Sequence, residues 1–201
     1  MIKVHSSIGP EEWQPLALCR RYVVVHFKLP PAQAEKDADL VLASLMWAVA
    51  THADGHHALL GAWSVPGGSD IAWPEILSEL WTRGAERIEW AVVPGGAPPA
   101  AIADAEVTKV VHWRDASAPE PVLPPRTKRL LDKSDDVAQR LHAAMLRAAR
   151  RQGGRFDSAE AAFASLQRQW RRLERRLDAE HAARASRRSG GTAAASAAPG
   201  R

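Results

Sequence analysis

The sequence predicts an α/β protein: a five-stranded mixed sheet with flanking helices and a helical pair at its C-terminal end. Three observations predict it. Apolar runs rich in Val, Leu and Trp, punctuated by Pro and Gly, follow the order β-β-β-α-β-α-β over residues 1–125. Past Pro119, Pro121, Pro124 and Pro125 the strand signals stop and helical spacing takes over. The charge divides at the same place. Residues 1–125 carry 9 Lys/Arg against 15 Asp/Glu, net −6, and residues 126–201 carry 18 against 8, net +10.

The elements follow in order. Tyr22–Leu29 is a Val-rich strand ended by Pro30-Pro31. A second strand covers Leu40–Thr51. Ala53-Asp54-Gly55-His56 is a hairpin turn, since Asp-Gly between apolar runs supplies the positive φ such turns need. The third strand is His57–Ser64. Ser69 or Asp70 can cap a helix that carries Ala72, Ile76, Leu77 and Leu80 at helical spacing and stops at Gly84. Strands at Arg87–Val93 and Glu106–Trp113 flank a short helix near Pro98–Asp104.

The first C-terminal helix starts at Pro125 or Asp135 and runs to Arg151, with Val137, Leu141, Ala144, Met145 and Ala148 as its apolar stripe. The second opens on Asp157 and Glu160, spaced as a capping box. Its seam of Phe163, Leu166, Trp170, Leu173 and Leu177 is barely two heptads long, which favours packing on this chain's own core. The organisation is thus 1–125 as a β/α core, 126–186 as helices completing it, and 187–201 as a small, polar tail expected to be disordered.

No apolar stretch reaches the roughly 20 residues of a membrane span, and the N-terminus has no apolar leader. Cys19 is the sole cysteine, which rules out an internal disulfide and a multi-cysteine metal site. A cytoplasmic setting is expected, nucleoid-associated if DNA is bound.

Four segments, in order, resemble the catalytic domain of mutator-type bacterial insertion-sequence transposases. They are Trp13-Gln-Pro-Leu with Tyr22-Val-Val-Val-His-Phe-Lys-Leu, Ala53-Asp-Gly-His-His-Ala-Leu-Leu-Gly-Ala-Trp63, and Trp73-Pro-Glu-Ile-Leu-Ser-Glu-Leu-Trp-Thr-Arg-Gly84. The last is Leu146-Arg147 with Gly154-Arg-Phe156-Asp-Ser158-Ala-Glu160-Ala-Ala162. The third is the most specific, and together they cover roughly residues 13–167. The resemblance implies an RNase H-like fold and DNA transposition or recombination chemistry, in which three carboxylates clamp two divalent ions. Magnesium demands hard oxygen ligands. The positions matching those acids are Val23, Pro94 and one of Ala138, Gln139 or Arg140, so none is acidic. Of the family's Cys-x-x-His, His112 remains and the cysteine position is Lys109.

The resemblance therefore implies a degenerate, catalytically inactive transposase relative with no catalytic residues, metal or other cofactor. Two other readings stay open: a non-catalytic protein-interaction module, and an active transposase or nuclease using unconventional acids. The basic C-terminal third points to double-stranded DNA as partner, with Arg126, Lys128, Arg129, Arg147, Arg150, Arg151 and Arg155 as the phosphate-contacting set. A transposase or another protein meeting the C-terminal helices is the other candidate partner, and no membrane is expected.

Other clusters read as structural. His52, His56 and His57 belong to a solvated hairpin, Asp135, Asp136 and His142 to a solvated helix face, and Gly67-Gly68-Ser69 to an ordinary helix cap without the P-loop lysine. Asp37, Asp39, Asp54 and Glu75 have no spacing that gathers them. Ser64, Ser69 and Cys19 lack a hydrolase context. The eight tryptophans read as core, Trp113 beside Arg114 excepted.

Overall fold

The computed structural model describes residues 18, 21–28, 45–65, 73–94, 102, 107–111, 122–153 and 156–195, with side chains to 186. Trp13, Cys19, the Ser69/Asp70 cap, His112, Trp113 and Arg155 lie outside the described residues, as does nearly all of the short helix expected near 98–104. The elements are β1 (Arg21–Lys28), β2 (Leu45–Thr51), β3 (His57–Ser64), α1 (Trp73–Thr82), β4 (Arg87–Val92), β5 (Val107–Val111), α2 (Pro125–Arg151) and α3 (Ala159–Ala195). The sheet order is β3-β2-β1-β4-β5. β2 runs antiparallel to β1 and β3, whereas β1, β4 and β5 are mutually parallel. This is the five-stranded mixed sheet that the element order predicts, and its layout is consistent with the RNase H-like fold that the resemblance implies.

The β2–β3 turn forms as expected. Gly55 takes φ +89°, the Gly55 amide donates to the His52 carbonyl at 3.0 Å, and the His56 amide donates to Asp54 Oδ1 at 2.9 Å. β1 and β2 read as near-continuous apolar runs because both faces of the sheet's centre are covered. On one face Val25 and Phe27 of β1 pack with Ala48, Ala50, Trp63 and the α1 residues Trp73, Ile76 and Leu80. Phe27 meets Trp73 edge-on, with ring centroids 4.8 Å apart. On the other face Trp47 and Val49 pack with Leu141 and Met145 of α2 and with Phe163, Leu166, Trp170 and Leu173 of α3. The α3 seam therefore packs on this chain's own core.

The two most specific stretches of the resemblance turn out to be one mechanical unit. A Cβ on Gly61 would lie 2.6 Å from the Trp63 ring, so glycine makes room for the indole two residues along on the same strand face. The Trp63 Nε1 donates to Glu79 Oε2 at 2.7 Å, and Arg83 Nη1 bonds the other Glu79 oxygen at 3.4 Å. Gly84, at φ +104°, closes α1: its amide donates to Trp81 O, and the Ala85 amide to Leu80 O. That is a Schellman stop. The Leu18 amide then bonds the freed Arg83 carbonyl at 2.9 Å.

Two expectations are corrected. The cap of α3 is Ser158, whose Oγ accepts from the Ala161 amide at 3.2 Å, rather than Asp157. Glu160, at the second helical position, accepts a bond from the Ser158 hydroxyl, so the reciprocal box expected of Asp157 and Glu160 does not form. Of the two starts open for α2, the helix takes Pro125, the position where a missing N–H costs nothing. The tail expected to be disordered from 187 continues helical to Ala195. A helix already nucleated and anchored over 159–177 extends at no further nucleation cost, and alanines favour it.

Gly61→Ala is expected to destabilise the fold by about 1–3 kcal/mol through overpacking against Trp63. In a Trp63→Leu background the same change should cost much less, because the obstructing ring is gone. Urea unfolding of the four proteins of this cycle measures it; equal costs in both backgrounds would show that the ring is not the obstacle.

Candidate functional site

In this fold the end of β4, the middle of β1 and the helix after β5 converge. β1 and β4 are paired so that His26 stands opposite Val92, which places Pro94 level with Lys28 two residues on. α2 crosses this ground. Val23, the position matching the first acid, lies in an apolar cluster with Val24, Val92, Val111 and the α2 residues Leu130 and Leu131. One turn further along α2, Asp135 Oδ1 comes to 3.8 Å from His26 Nε2, both side chains 5% exposed. The solvated face expected for Asp135 and His142 is thus corrected. Asp135 is buried, and His142 stacks on Trp47 with centroids 5.9 Å apart. Helix phase is the reason: Leu131, Asp135, Ala138 and His142 recur at three- and four-residue steps along the side that meets the sheet.

The three positions matching the third acid separate by the same phase. Ala138 is fully buried toward the sheet. Gln139 Nε2 reaches back to Asp135 Oδ1 at 3.4 Å. Arg140 turns away to Asp136 and to Glu180 of α3.

The electrostatics of this locus are those of a sparse buried pair. Burial, and then the Lys28 charge, push His26 down to about 3 from 6.5, so it is neutral near pH 7. The His26–Asp135 contact is therefore not an ion pair, and at 3.8 Å it is too long for a hydrogen bond. Lys28 lies in the field of Asp135: half-burial pulls its ammonium down, and the Asp135 charge pulls it part of the way back up. His142 is also lowered, by burial and by Lys28. His26 Nδ1, Trp47 Nε1, Ser134 Oγ and His142 Nδ1 are buried without a hydrogen-bond partner among the described residues.

The two-ion carboxylate clamp of the resembled family does not fit these residues. Asp135 is the one carboxylate here among the described residues, and an ammonium stands in its field. Nor do the described residues contain any group of three His, Cys, Asp or Glu able to hold a metal. Lys109, at the missing cysteine's position, lies 4.8 Å over the Trp90 ring as a cation–π contact.

Six of the seven expected phosphate-contacting residues are described, and all six are exposed on α2. Arg126, Lys128 and Arg129 sit at its start and Arg147, Arg150 and Arg151 at its end. From Arg126 to Arg147 is about 32 Å along the helix axis. Between the two groups the helix carries Asp132 and Asp136 together with Lys133 and Arg140, all four lining a cleft against α3, so the expected set falls into two groups far apart on the helix.

A cleft of about 820 Å³ opens between the β2–β3 turn, α2 and α3. It mixes Asp54, Asp136 and Glu180 with Lys133, Arg140 and Arg184. His56 there stacks on His181 at 4.4 Å between centroids and bonds Asp54 at 3.1 Å. His57 is more enclosed than the solvated turn expected of it. Its ring meets Thr51 Oγ1 at 3.0 Å, and burial, with Lys133 and other cations adding, lowers it to about 4.

α3 carries a second basic face, outside the phosphate-contacting set expected from the sequence. Arg168, Arg171, Arg172, Arg175 and Arg176 are all exposed there. The signal was present in the heptad seam, because arginines placed between its apolar positions must face outward.

His26 and His57 take up protons more readily unfolded than folded. Stability is therefore full above about pH 6.5 and falls as pH drops through the window down to about 4, and for His26 on to about 3. Each such histidine contributes about 1.4 kcal/mol per pH unit within it. His26→Leu is expected to flatten that acid limb, measured as urea midpoints across a pH series; an unchanged slope would mean His26 is charged in the fold. No helix among the described residues is long and apolar enough to cross a membrane. No family model matches the chain, and no curated protein matches it.

Proposed function

We propose that this chain is a non-cleaving relative of the mutator-type insertion-sequence transposases that works by holding DNA rather than cutting it. The observation that carries the first half is the locus where β1, the end of β4 and α2 meet. There Val23, Pro94 and one of Ala138, Gln139 or Arg140 stand at the positions matching the family's acids, and the Lys28 charge acting on Asp135 supplies positive potential where metal ions would need negative ligands. Phosphodiester cleavage by two metal ions depends on carboxylates that hold the ions and neutralise their charge. One buried carboxylate with an ammonium partner supports neither task.

The second half rests on charge. The acidic β/α core, net −6, and the basic C-terminal third, net +10, make the molecule electrically polar. A basic face of this kind attracts a polyphosphate backbone irrespective of base sequence. Association with the nucleoid follows from the same reading.

Incubation of the pure protein with supercoiled plasmid and Mg²⁺ or Mn²⁺ is expected to give no nicking above a heat-killed control. Metal-dependent nicking that Asp135→Asn abolishes would overturn the reading and favour an active site built on an unconventional acid.

A further inference from the structure

We infer that the outward face of α3 between Arg168 and Arg176 is the surface that grips the nucleic-acid backbone, ahead of the two arginine patches on α2. This rests on the DNA-holding reading above and specifies where the contact lies. Five of the nine residues in this stretch are arginine, and all five are exposed. At 3.6 residues per turn they fall within an arc of about 140°, over an axial length of about 12 Å. Phe163, Leu166, Trp170 and Leu173, buried against the sheet and α2, take the opposite side of the same helix. The packing that anchors α3 thus fixes which way the guanidinium groups point.

Three further observations favour a polyanionic partner. None of the five arginines forms a salt bridge among the described residues, although the cations nearer the cleft do: Arg140 pairs with Asp136 and Glu180, and Arg184 with Glu180. The acids closest in sequence are turned elsewhere. Glu174 accepts a bond from Trp170 Nε1 at 3.1 Å and lines the cleft, and Asp178 lines the cleft as well. The two sides of α3 therefore differ in sign, with carboxylates toward the cleft and guanidinium groups toward solvent. The two α2 groups, by contrast, are separated by about 32 Å along the helix axis, each with three of the expected cations.

An arc this wide on a single helix suits the curved backbone of a duplex, whose neighbouring strands can be contacted from one helix face. Arginine also binds a phosphate through two parallel N–H bonds, where lysine offers a point charge. Such contacts position the chain on the duplex and carry no base sequence.

The test is titration of a short fluorescent DNA duplex at several salt concentrations. It uses the full chain and three variants: Arg171→Glu/Arg172→Glu/Arg175→Glu, the same positions changed to Lys, and Arg126→Glu/Arg129→Glu/Arg147→Glu. All three sets of side chains are solvent-exposed, and matched thermal unfolding verifies that each variant is folded. The unaltered chain should bind with a slope of log K against log salt of about −4 to −5, since each neutralised phosphate adds about −0.9. The α3 glutamate variant should bind at least roughly tenfold more weakly at low salt, with the slope cut to about −2. The lysine variant should stay close to the unaltered chain, and the α2 variant should lose less than the α3 one. If the α3 glutamate variant binds like the unaltered chain, the α3 assignment falls while the DNA-holding reading stands. If the unaltered chain fails to bind the duplex, or binds anionic phosphatidylserine vesicles in its place, both fall.

Discussion

Strand β1 hydrogen-bonds to β2 along one edge and to β4 along the other, and its side chains serve two different cores. Val25 and Phe27 enter the layer closed by α1, while Val24 and His26 enter the layer closed by α2. The rest of the architecture follows from this double burial. A sheet apolar on both faces must be covered on both, and the two C-terminal helices are what the second face requires. Their own buried stripes then settle the direction of every remaining side chain, including the basic ones. The site and the surface proposed for binding are both consequences of how one central strand is covered.

Much of this order was legible because it is written in local signals. The Asp54-Gly55 turn, the Arg83-Gly84 stop and the apolar stripe of α2 each need only a few neighbouring residues to be recognised. What could not be read depended on helix phase relative to a partner element. The run Lys133-Ser134-Asp135-Asp136 is polar throughout and reads as a solvent face. Only the crossing of α2 over β1 turns Asp135 and Ser134 inward while Asp136 stays out. The third matching position was ambiguous over Ala138, Gln139 and Arg140 for the same reason, because counting along the chain carries no rotational information. The arginine face of α3 was a different kind of omission. Its apolar seam was recognised, and the complementary face could have been drawn from the same spacing.

The β1–α2 locus shows how a buried polar group persists without obvious purpose to stability. His26, Ser134, Trp47 and His142 each bury an atom with no hydrogen-bond partner among the described residues, and an unsatisfied atom of this kind costs about 1–3 kcal/mol relative to a satisfied one. Lys28 and Asp135 offset part of each other's desolvation, as a pair in a low-dielectric setting does, but an apolar pair of the same shape would serve the core at least as well. The interface is polar where His26 and Lys28 of β1 meet Ser134 and Asp135 of α2, and apolar where Leu131, Val137, Ala138 and Leu141 pack.

The linked set of Gly61, Trp63, Glu79 and Arg83 has a consequence for inference from sequence. These residues carry the most distinctive part of the resemblance, yet none of them approaches the β1–α2 locus in function: they seat an indole over a glycine and fasten a hairpin to a helix. A mutation that removes a catalytic acid leaves this clasp untouched, whereas a mutation in the clasp threatens the fold itself. Recognition patterns built on such residues therefore track whether a chain folds in a given way and say nothing of whether it still performs the reaction. A lineage can lose its chemistry abruptly and keep its signature for as long as it keeps its shape.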